Sequence, residues 1–590
     1  MRASVILSRM GVFGMWCACM AAFAGAPLRA AAAEPLPPAA EWIPAEAEVA
    51  LEVVRPKAIL DTLLDSKLSA TVMALPPIKQ AFEQPKLQQL RNATGMVQLM
   101  LGTDWKTALR KAFGGGVTLA ASPRHGALLI VDAEDEEFLK KVHETLLQIA
   151  KAEAAKQNKA DAIQSADYQG VTCWTFDGKE GHALLGRRLV LSDRREVLKA
   201  ALDLRAKAGG QALAALPAYQ AAKRAAGGES VAWGFLNWAA VKEQPATKKA
   251  LGEYANPGAA LLAASLNDAL RQSNWLAVGL KLDGEALSLR AMIDGRPSAG
   301  GVESFAAPAL PDGGTLPNLD VPRKLAGISL YRDLKTFYGA KDKLFPERTS
   351  GLVFFENMME IFFSGRELTS EVMGEARPEI RLVAAAQAYD PAVGTPQPQV
   401  PAMAAVFRVR NPQQFANVIE EAWQKGLGLL NFTRGQQALQ GMIMDRDVYG
   451  DVRYSLAYFA VGPNENKAQL PIRYNFRPTL AKLNDYVILS STDALAKDLI
   501  DALKKEAAKP LASVSSLVEL SGPQVAAVFQ ANRTTMAADN MVKKGISQEE
   551  AERELDVAIG LMKLVDLARL SLAHKADGSE LELALKLRLP

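Results

Sequence analysis

The sequence predicts an α+β protein, a tandem duplication of an antiparallel sheet covered by helices, in two similar halves. Three observations carry that prediction. Several short runs alternate apolar and polar residues, as half-buried antiparallel strands do. Between them lie runs with apolar residues three or four apart, the spacing of amphipathic helices. Finally, the order of these patterns before the stretch 295–324 recurs after it.

That recurrence is legible in particular residues. A strand pattern ending at Arg55 runs into a helical pattern through Leu64, and one ending at Arg332 runs into a pattern through Tyr338. The separation that sets Arg55 on Arg332 also sets Phe138 on Phe415, Val142 on Ile419 and Leu146 on Trp423. Those positions lie four apart, one stripe of a helix, and stay apolar in both copies. A longer separation matches Phe235 with Phe529 and Asp283-Gly284 with Asp577-Gly578. Extra sequence around 463–485 accounts for the growth.

The expected organisation follows the chain. Residues 1–33 read as a secretory signal: Arg2 and Arg9, an apolar run from Met10 to Ala24, then small residues offering cleavage after Ala26 or Ala33. Residues 34–46 are a Pro-rich lead-in, 47–294 the first α+β repeat, 295–324 a Gly/Pro-rich linker and 325–590 the second repeat. Within the first repeat, helical patterns at 57–64, 76–95 and 104–113 precede strands at 117–122 and 126–131. Asp104 or Thr103 is expected to cap its helix and Gly114 to stop it. A helix from Asp135 to about Ala155 follows, with acids at its start and lysines at its end, as the helix dipole favours. Strand patterns at 168–176 and 182–192 lead to a helix opened by Asp193 with Leu198, Leu202 and Leu204 inward. A strand at 230–237, a helical region to Gln272 and a hairpin over Asp283-Gly284 close the half. The alternation implies sheets with one face on a core and the other in water.

Composition bounds the function. The chain has 590 residues, 49% of them hydrophobic, enough for two sizeable cores. Its net charge of +3 is matched by the three arginines of 1–33, so the remainder is neutral and offers no electrostatic footprint for nucleic acid. Once the signal is removed, no stable membrane span is expected and Cys173 is the one remaining cysteine, unable to form an internal disulfide.

Few residues point to chemistry. His125, His143, His182 and His574 are scattered, with no zinc spacing, and His143 reads as a solvated surface residue because it lies off the Val142 stripe. The acidic run 132–137 lacks the ligand alternation and central glycine of a calcium loop. In the second copy Asn411-Pro412 replaces it, Asn411 expected as a cap. Gly114, Gly115 and Gly116 run from helix to strand, the wrong direction for a phosphate loop. Cys173, aligned with Tyr454, reads as a buried thiol on a strand. No catalytic, metal or cofactor residue is assigned. One asymmetry remains: Trp233, Trp238 and Trp275 stand where the alignment gives Ala527, Asn532 and Arg569. They could line an aromatic ligand groove or fill a bulkier core.

With the strand-helix openings, the run from Tyr168 to Trp174 and the strand end from Leu189 to Asp193 laid out, the arrangement resembles bacterial exported proteins of domain of unknown function family 3352, common in planctomycete-like organisms. The resemblance implies a bacterial source and a place outside the cytoplasm, periplasmic or extracellular, and it offers no catalytic residues to carry over. Two functions fit. The first is a non-catalytic exported binding or scaffold protein, its ligand or envelope-protein partner held at the seam between repeats. The second is a metal-independent, carboxylate-based hydrolase of the cell envelope.

Overall fold

Strands form where the alternation falls, and every pairing between them within each unit is antiparallel. The computed structural model describes residues 36–64, 67, 70, 71, 104–158, 160–309, 312–390 and 393–588. The expected signal and the helical pattern at 76–95 lie outside these residues. Two compact units emerge. The first takes the described part of Met1–Gln244 with Asn274–Ile293, the second Pro245–Ser273 with Asp294–Arg588. The second unit thus includes both a segment expected in the first repeat and the stretch expected to be a linker. Their apolar residues explain it: Ala260 and Ala264 share a core with Phe305, Phe337 and Phe345.

The first unit contains β1 (Val49–Val53), β2 (Gly116–Ser122), β3 (Gly126–Asp132), β4 (Ile163–Tyr168), β5 (Val171–Phe176), β6 (Glu180–Leu185), β7 (Arg188–Ser192), β8 (Ala232–Leu236), β9 (Leu276–Asp283) and β10 (Ala286–Ile293). They pair in the order β4-β5-β6-β7-β3-β2-β1-β8-β9-β10. Its main helices are α1 (Pro56–Leu64), α2 (Trp105–Phe113), α3 (Glu136–Lys156), α4 (Arg195–Ala206) and α5 (Pro217–Ala226).

Helices cover both faces of this sheet. Phe138, Leu139 and Val142 of α3 pack with Val131, Leu189 and Leu191. Leu198 and Ala201 of α4, and Tyr219 and Ala222 of α5, pack with Leu128, Ile130 and Val190. Neighbouring residues of β3 and β7 therefore enter different cores, and the expectation of one watery face fails for the central strands. The signal was in β7, every residue of which is buried: a strand covered on both faces loses its alternation.

Local chemistry sets the ends. Asp104 accepts from the Lys106 and Thr107 amides at the start of α2, and Asp135 from Phe138 at the start of α3. Asp193 does not cap α4; its carboxylate accepts the Ala127 amide, and Arg194 stands at the cap position without a side-chain bond. The run 168–176 is two strands rather than one, because Gln169 and Gly170 both take positive φ, 51° and 72°, the requirement of a tight hairpin turn. The run 182–192 likewise divides, with Gly186 at φ 57° in the turn.

The second unit contains β11 (Lys324–Tyr331), β12 (Ala376–Ala385), β13 (Ala402–Val409), β14 (Ile443–Tyr449), β15 (Val452–Tyr458), β16 (Thr479–Leu483), β17 (Tyr486–Ser490), β18 (Val514–Leu520), β19 (Val565–Lys575) and β20 (Gly578–Leu587). Their order is β14-β15-β16-β17-β13-β12-β11-β18-β19-β20, which corresponds to the first unit strand for strand. Its helices include α6 (Pro257–Gln272), α7 (Pro412–Gln436), α8 (Asp493–Lys505) and α9 (Gly522–Ala531). Phe415 of α7 packs with Val487 and Leu480, while Leu495 and Leu499 of α8 pack with Ile488 and Ala481.

Side chains repeat as well as strands. Tyr168 donates to Asp203 at 2.8 Å with Lys199 over its ring; Tyr449 donates to Asp501 at 2.8 Å with Lys497 over its ring. Three expected matches do not hold. Phe235 lies on β8, but Phe529 lies on α9, so Ala527 is no counterpart of Trp233 either. The β9–β10 loop is Gly284-Glu285, whereas the β19–β20 loop is Ala576-Asp577, so the two Asp-Gly pairs sit at different places. Asn411 precedes α7 without capping it, its side-chain amide bonding Glu375 instead. Among the described residues, no helix is long and apolar enough to cross a membrane.

Candidate binding site

In the second unit, the sheet face toward α7 carries a cavity of about 790 Å³. Strand pairing decides what lines it. Arg446 of β14 pairs with Ser455 of β15, Val448 pairs with Arg453, and Ser455 pairs onward with Leu480 of β16, two residues from Lys482. Paired residues share a face, and so do alternate residues of one strand. Glu420 descends from α7 onto this face, accepting from Lys482 Nζ and from Arg446 Nη2, each at 2.8 Å. The Lys482 hydrogen bond foremost, with the charges of Lys482 and Arg446, holds the Glu420 carboxyl below its ordinary range. Asp447 also lines the cavity; the Tyr454 hydroxyl, donating at 2.7 Å, holds it low too.

The cavity exists because small residues stand where the first unit has large ones. There Trp174 of β5 pairs with His182 of β6, and the rings stack at 5.3 Å. Phe176 stacks on His182 at 5.4 Å, and His143 of α3 meets Trp174 edge-on at 4.6 Å. His143 and His182 face each other Nε2 to Nε2 at 3.0 Å, one donating and the other accepting. The corresponding positions in the second unit hold Ser455, Leu480, Ala457 and Glu420. Ala457 is enclosed by Leu427 and Met442, so it is at Ser455, in place of the Trp174 ring, that room opens beside the polar residues.

His143 is thus corrected: it is 3% exposed and part of this ring cluster, not a solvated residue. Burial lowers the pKa of both histidines, that of His182 to about 3. The helical stripe could not reveal this, because the partner ring lies on a strand 39 residues away.

The other singled-out residues have structural partners. Trp233 and Trp275 are buried in one core, and Trp233 donates to Glu52 at 3.1 Å beside Tyr219. Trp238 begins a short helix and is half-buried. Cys173 is half-buried against the same core, and burial foremost raises its thiol pKa. In the acidic run, Asp132 pairs with the buried Arg188, Glu134 with Lys57 and Asp135 with Lys111. Among the described residues, no group of three His, Cys, Asp or Glu side chains could hold a metal ion.

Among solved structures, the chain is similar to three crystal forms of TP0453. Form III shares 10% identity at a TM-score of 0.23, covering 46% of this chain and 84% of that one. Form I gives 10%, 0.22, 46% and 82%, and form IV gives 9%, 0.21, 42% and 80%. Likeness at that level carries no argument about fold or function. No curated protein matches the chain. The model of a family of proteins of unknown function, DUF3352, matches residues 3–310, just over half the chain, and the protein belongs to that family.

Proposed function

We propose that the protein is an exported, non-catalytic binding protein, built by tandem duplication, whose ligand sits in the second unit's cavity against Glu420, Arg446 and Lys482. The observation that carries this reading is the state of the cavity's carboxylates. Acid catalysis by a carboxyl needs one held protonated near neutral pH. Glu420 and Asp447 are both pulled the other way, by Lys482 with Arg446 and by Tyr454. A cavity of about 790 Å³ has the size of small-molecule sites. The polar residues there point to hydrogen-bonded recognition of a small solute.

Export rests on the pattern of 1–33 and is tested by N-terminal sequencing of protein from the producing cells; an intact Met1 in a membrane fraction would overturn it. Binding is tested by a thermal-shift screen of small polar solutes on the full chain and on Ser455→Trp, which restores the first unit's ring at that position. Shifts seen in wild type and lost in the variant are expected. Turnover of a glycoside or ester substrate, abolished by Glu420→Gln, would replace the binding reading with the hydrolase.

A further inference from the structure

We infer that the ligand of the second unit's cavity is an oxyanion carrying at least two negative charges, a phosphoryl or polycarboxylate group. This rests on the cavity being a binding site. The argument is a charge count made face by face. Arg446, Arg453 and Lys482 lie on the sheet face toward α7, as the Arg446–Ser455 and Val448–Arg453 pairings and the alternation of β16 require. Against those three cations that face receives one carboxylate, Glu420.

Two further acids line the cavity; neither belongs to the face of Arg446 and Val448, and each has its partners elsewhere. Asp447 pairs across the strands with Tyr454, whose ring lies under Lys497 of α8 on the other side of the sheet. Asp451, in the β14–β15 turn, is bound by Lys504 of α8. The face toward the ligand is left with a surplus of two positive charges.

The two arginines are available. Arg446 spends one nitrogen on Glu420 and is otherwise 72% exposed on its side chain. Arg453 is exposed and makes no hydrogen bond or ion pair among the described residues. Guanidinium groups present paired N–H donors in the geometry of carboxylate and phosphate oxygens. The first unit supplies an internal contrast. Its matching positions are Ser165, Thr172 and Leu184, with His143 in the place of Glu420, and burial keeps His143 neutral. The cations are therefore not a requirement of the shared fold.

Glu420 has a defined part in this arrangement. It holds Arg446 and Lys482 together but competes with the ligand for both. Removing its charge while keeping its shape frees two cations.

Isothermal titration of the full chain with inorganic pyrophosphate, citrate and uncharged maltose tests the inference. Pyrophosphate or citrate should bind, the stronger of the two naming the source, and the affinity should fall as salt rises. Arg453→Thr, the residue the first unit has there, should weaken the anion roughly tenfold without changing the thermal melt. Glu420→Gln should tighten it, and Ser455→Trp should abolish it. Failure of both anions at millimolar concentration overturns the inference. If maltose alone binds and Ser455→Trp removes it, the site is real and its ligand uncharged. Anion binding indifferent to both Arg453→Thr and Ser455→Trp would place it elsewhere and overturn the inference as well.

Discussion

The space between α3 and its sheet in the first unit, and between α7 and its sheet in the second, solve one packing problem in two ways. In the first, Trp174, Phe176, His143 and His182 fill it with rings. In the second, Ser455 leaves a cavity that Glu420, Arg446 and Lys482 line with charge. Strand order is the same in both, and α3 and α7 each follow the matching strand, β3 or β13, so the fold does not dictate what occupies this space. The change from the Trp174 ring to Ser455 marks the difference between a filled core and a site. Where two units share a strand order, their differences mark the positions released from packing.

The comparison is broken most severely through what the units share. Phe138 and Phe415 hold matching places on α3 and α7, and both rings are buried. Replacing either with alanine removes a core ring and leaves a void, a loss of about 3–5 kcal/mol in each case. Denaturant unfolding of Phe138→Ala and Phe415→Ala measures it. A large loss in one and none in the other would mean that the two helices do not carry equivalent cores.

The next largest effect separates the units. Arg188 of β7 is buried, bonds Asp132 at 2.7 Å and 2.8 Å, donates to the Pro37 carbonyl at 2.7 Å and packs on Trp42. In the second unit the matching strand starts at Tyr486, and the buried arginines are Arg332, just after β11, and Arg381 of β12, the latter paired with Glu506. Arg188→Met strands a largely buried carboxylate and should cost about 3 kcal/mol. Adding Asp132→Leu should recover part of that loss, because the stranded charge then disappears. No recovery in the double variant would show that Arg188 stabilises through Trp42 and the lead-in rather than through Asp132.

These cases show what the sequence made legible. The stripe of Phe138, Val142 and Leu146 was readable because helical spacing is a local property and repeats in the second copy. A cap at Asp104 or Thr103 was readable because capping is likewise local, and Asp104 takes it. Phe235 and Phe529 were mismatched because one shared residue type cannot fix register once insertions intervene; their strand and helix environments differ. The cavity was not readable at all. It depends on Ser455 meeting Leu480 across a strand pair and on Glu420 arriving from a helix, contacts that sequence spacing does not report. Tryptophans attracted attention by their size, yet Trp233 and Trp275 are spent on the core.

A smaller effect should appear with pH, chiefly from the histidine pair of the first unit. His182 titrates at about 3 in the folded chain, against an ordinary value near 6.5, because burial disfavours its charged form. Between those values the unfolded chain binds a proton that the folded chain refuses. Its stability contribution is therefore complete above about pH 6.5 and is lost as pH falls from there toward 3, at roughly 1 kcal/mol per pH unit. Carboxylates contribute below about pH 5, so the window from 6.5 to 5 isolates the histidines. The double variant His143→Leu with His182→Leu should reduce the slope across that window, leaving the part that the buried His574, lowered to about 4, contributes. An unchanged slope would rule the pair out as its source.

The smallest effect tests the correspondence most directly. Tyr168 and Tyr449 sit on the matching edge strands β4 and β14, and each hydroxyl donates to an aspartate on the helix below, Asp203 or Asp501. In each case that hydrogen bond is the chief reason the phenol pKa is raised, since the aspartate favours the protonated form. Spectrophotometric titration should find both tyrosines above the ordinary value, and Asp203→Asn or Asp501→Asn should lower only its own partner. Tyr168→Phe and Tyr449→Phe should each shift the melting temperature slightly, in the same direction and by similar amounts, less than any change above. The reasoning is that equal geometry on an equal framework gives equal coupling, whatever the two units bind. A raised pKa at one tyrosine alone would break the match at the residue level while leaving the shared strand order standing.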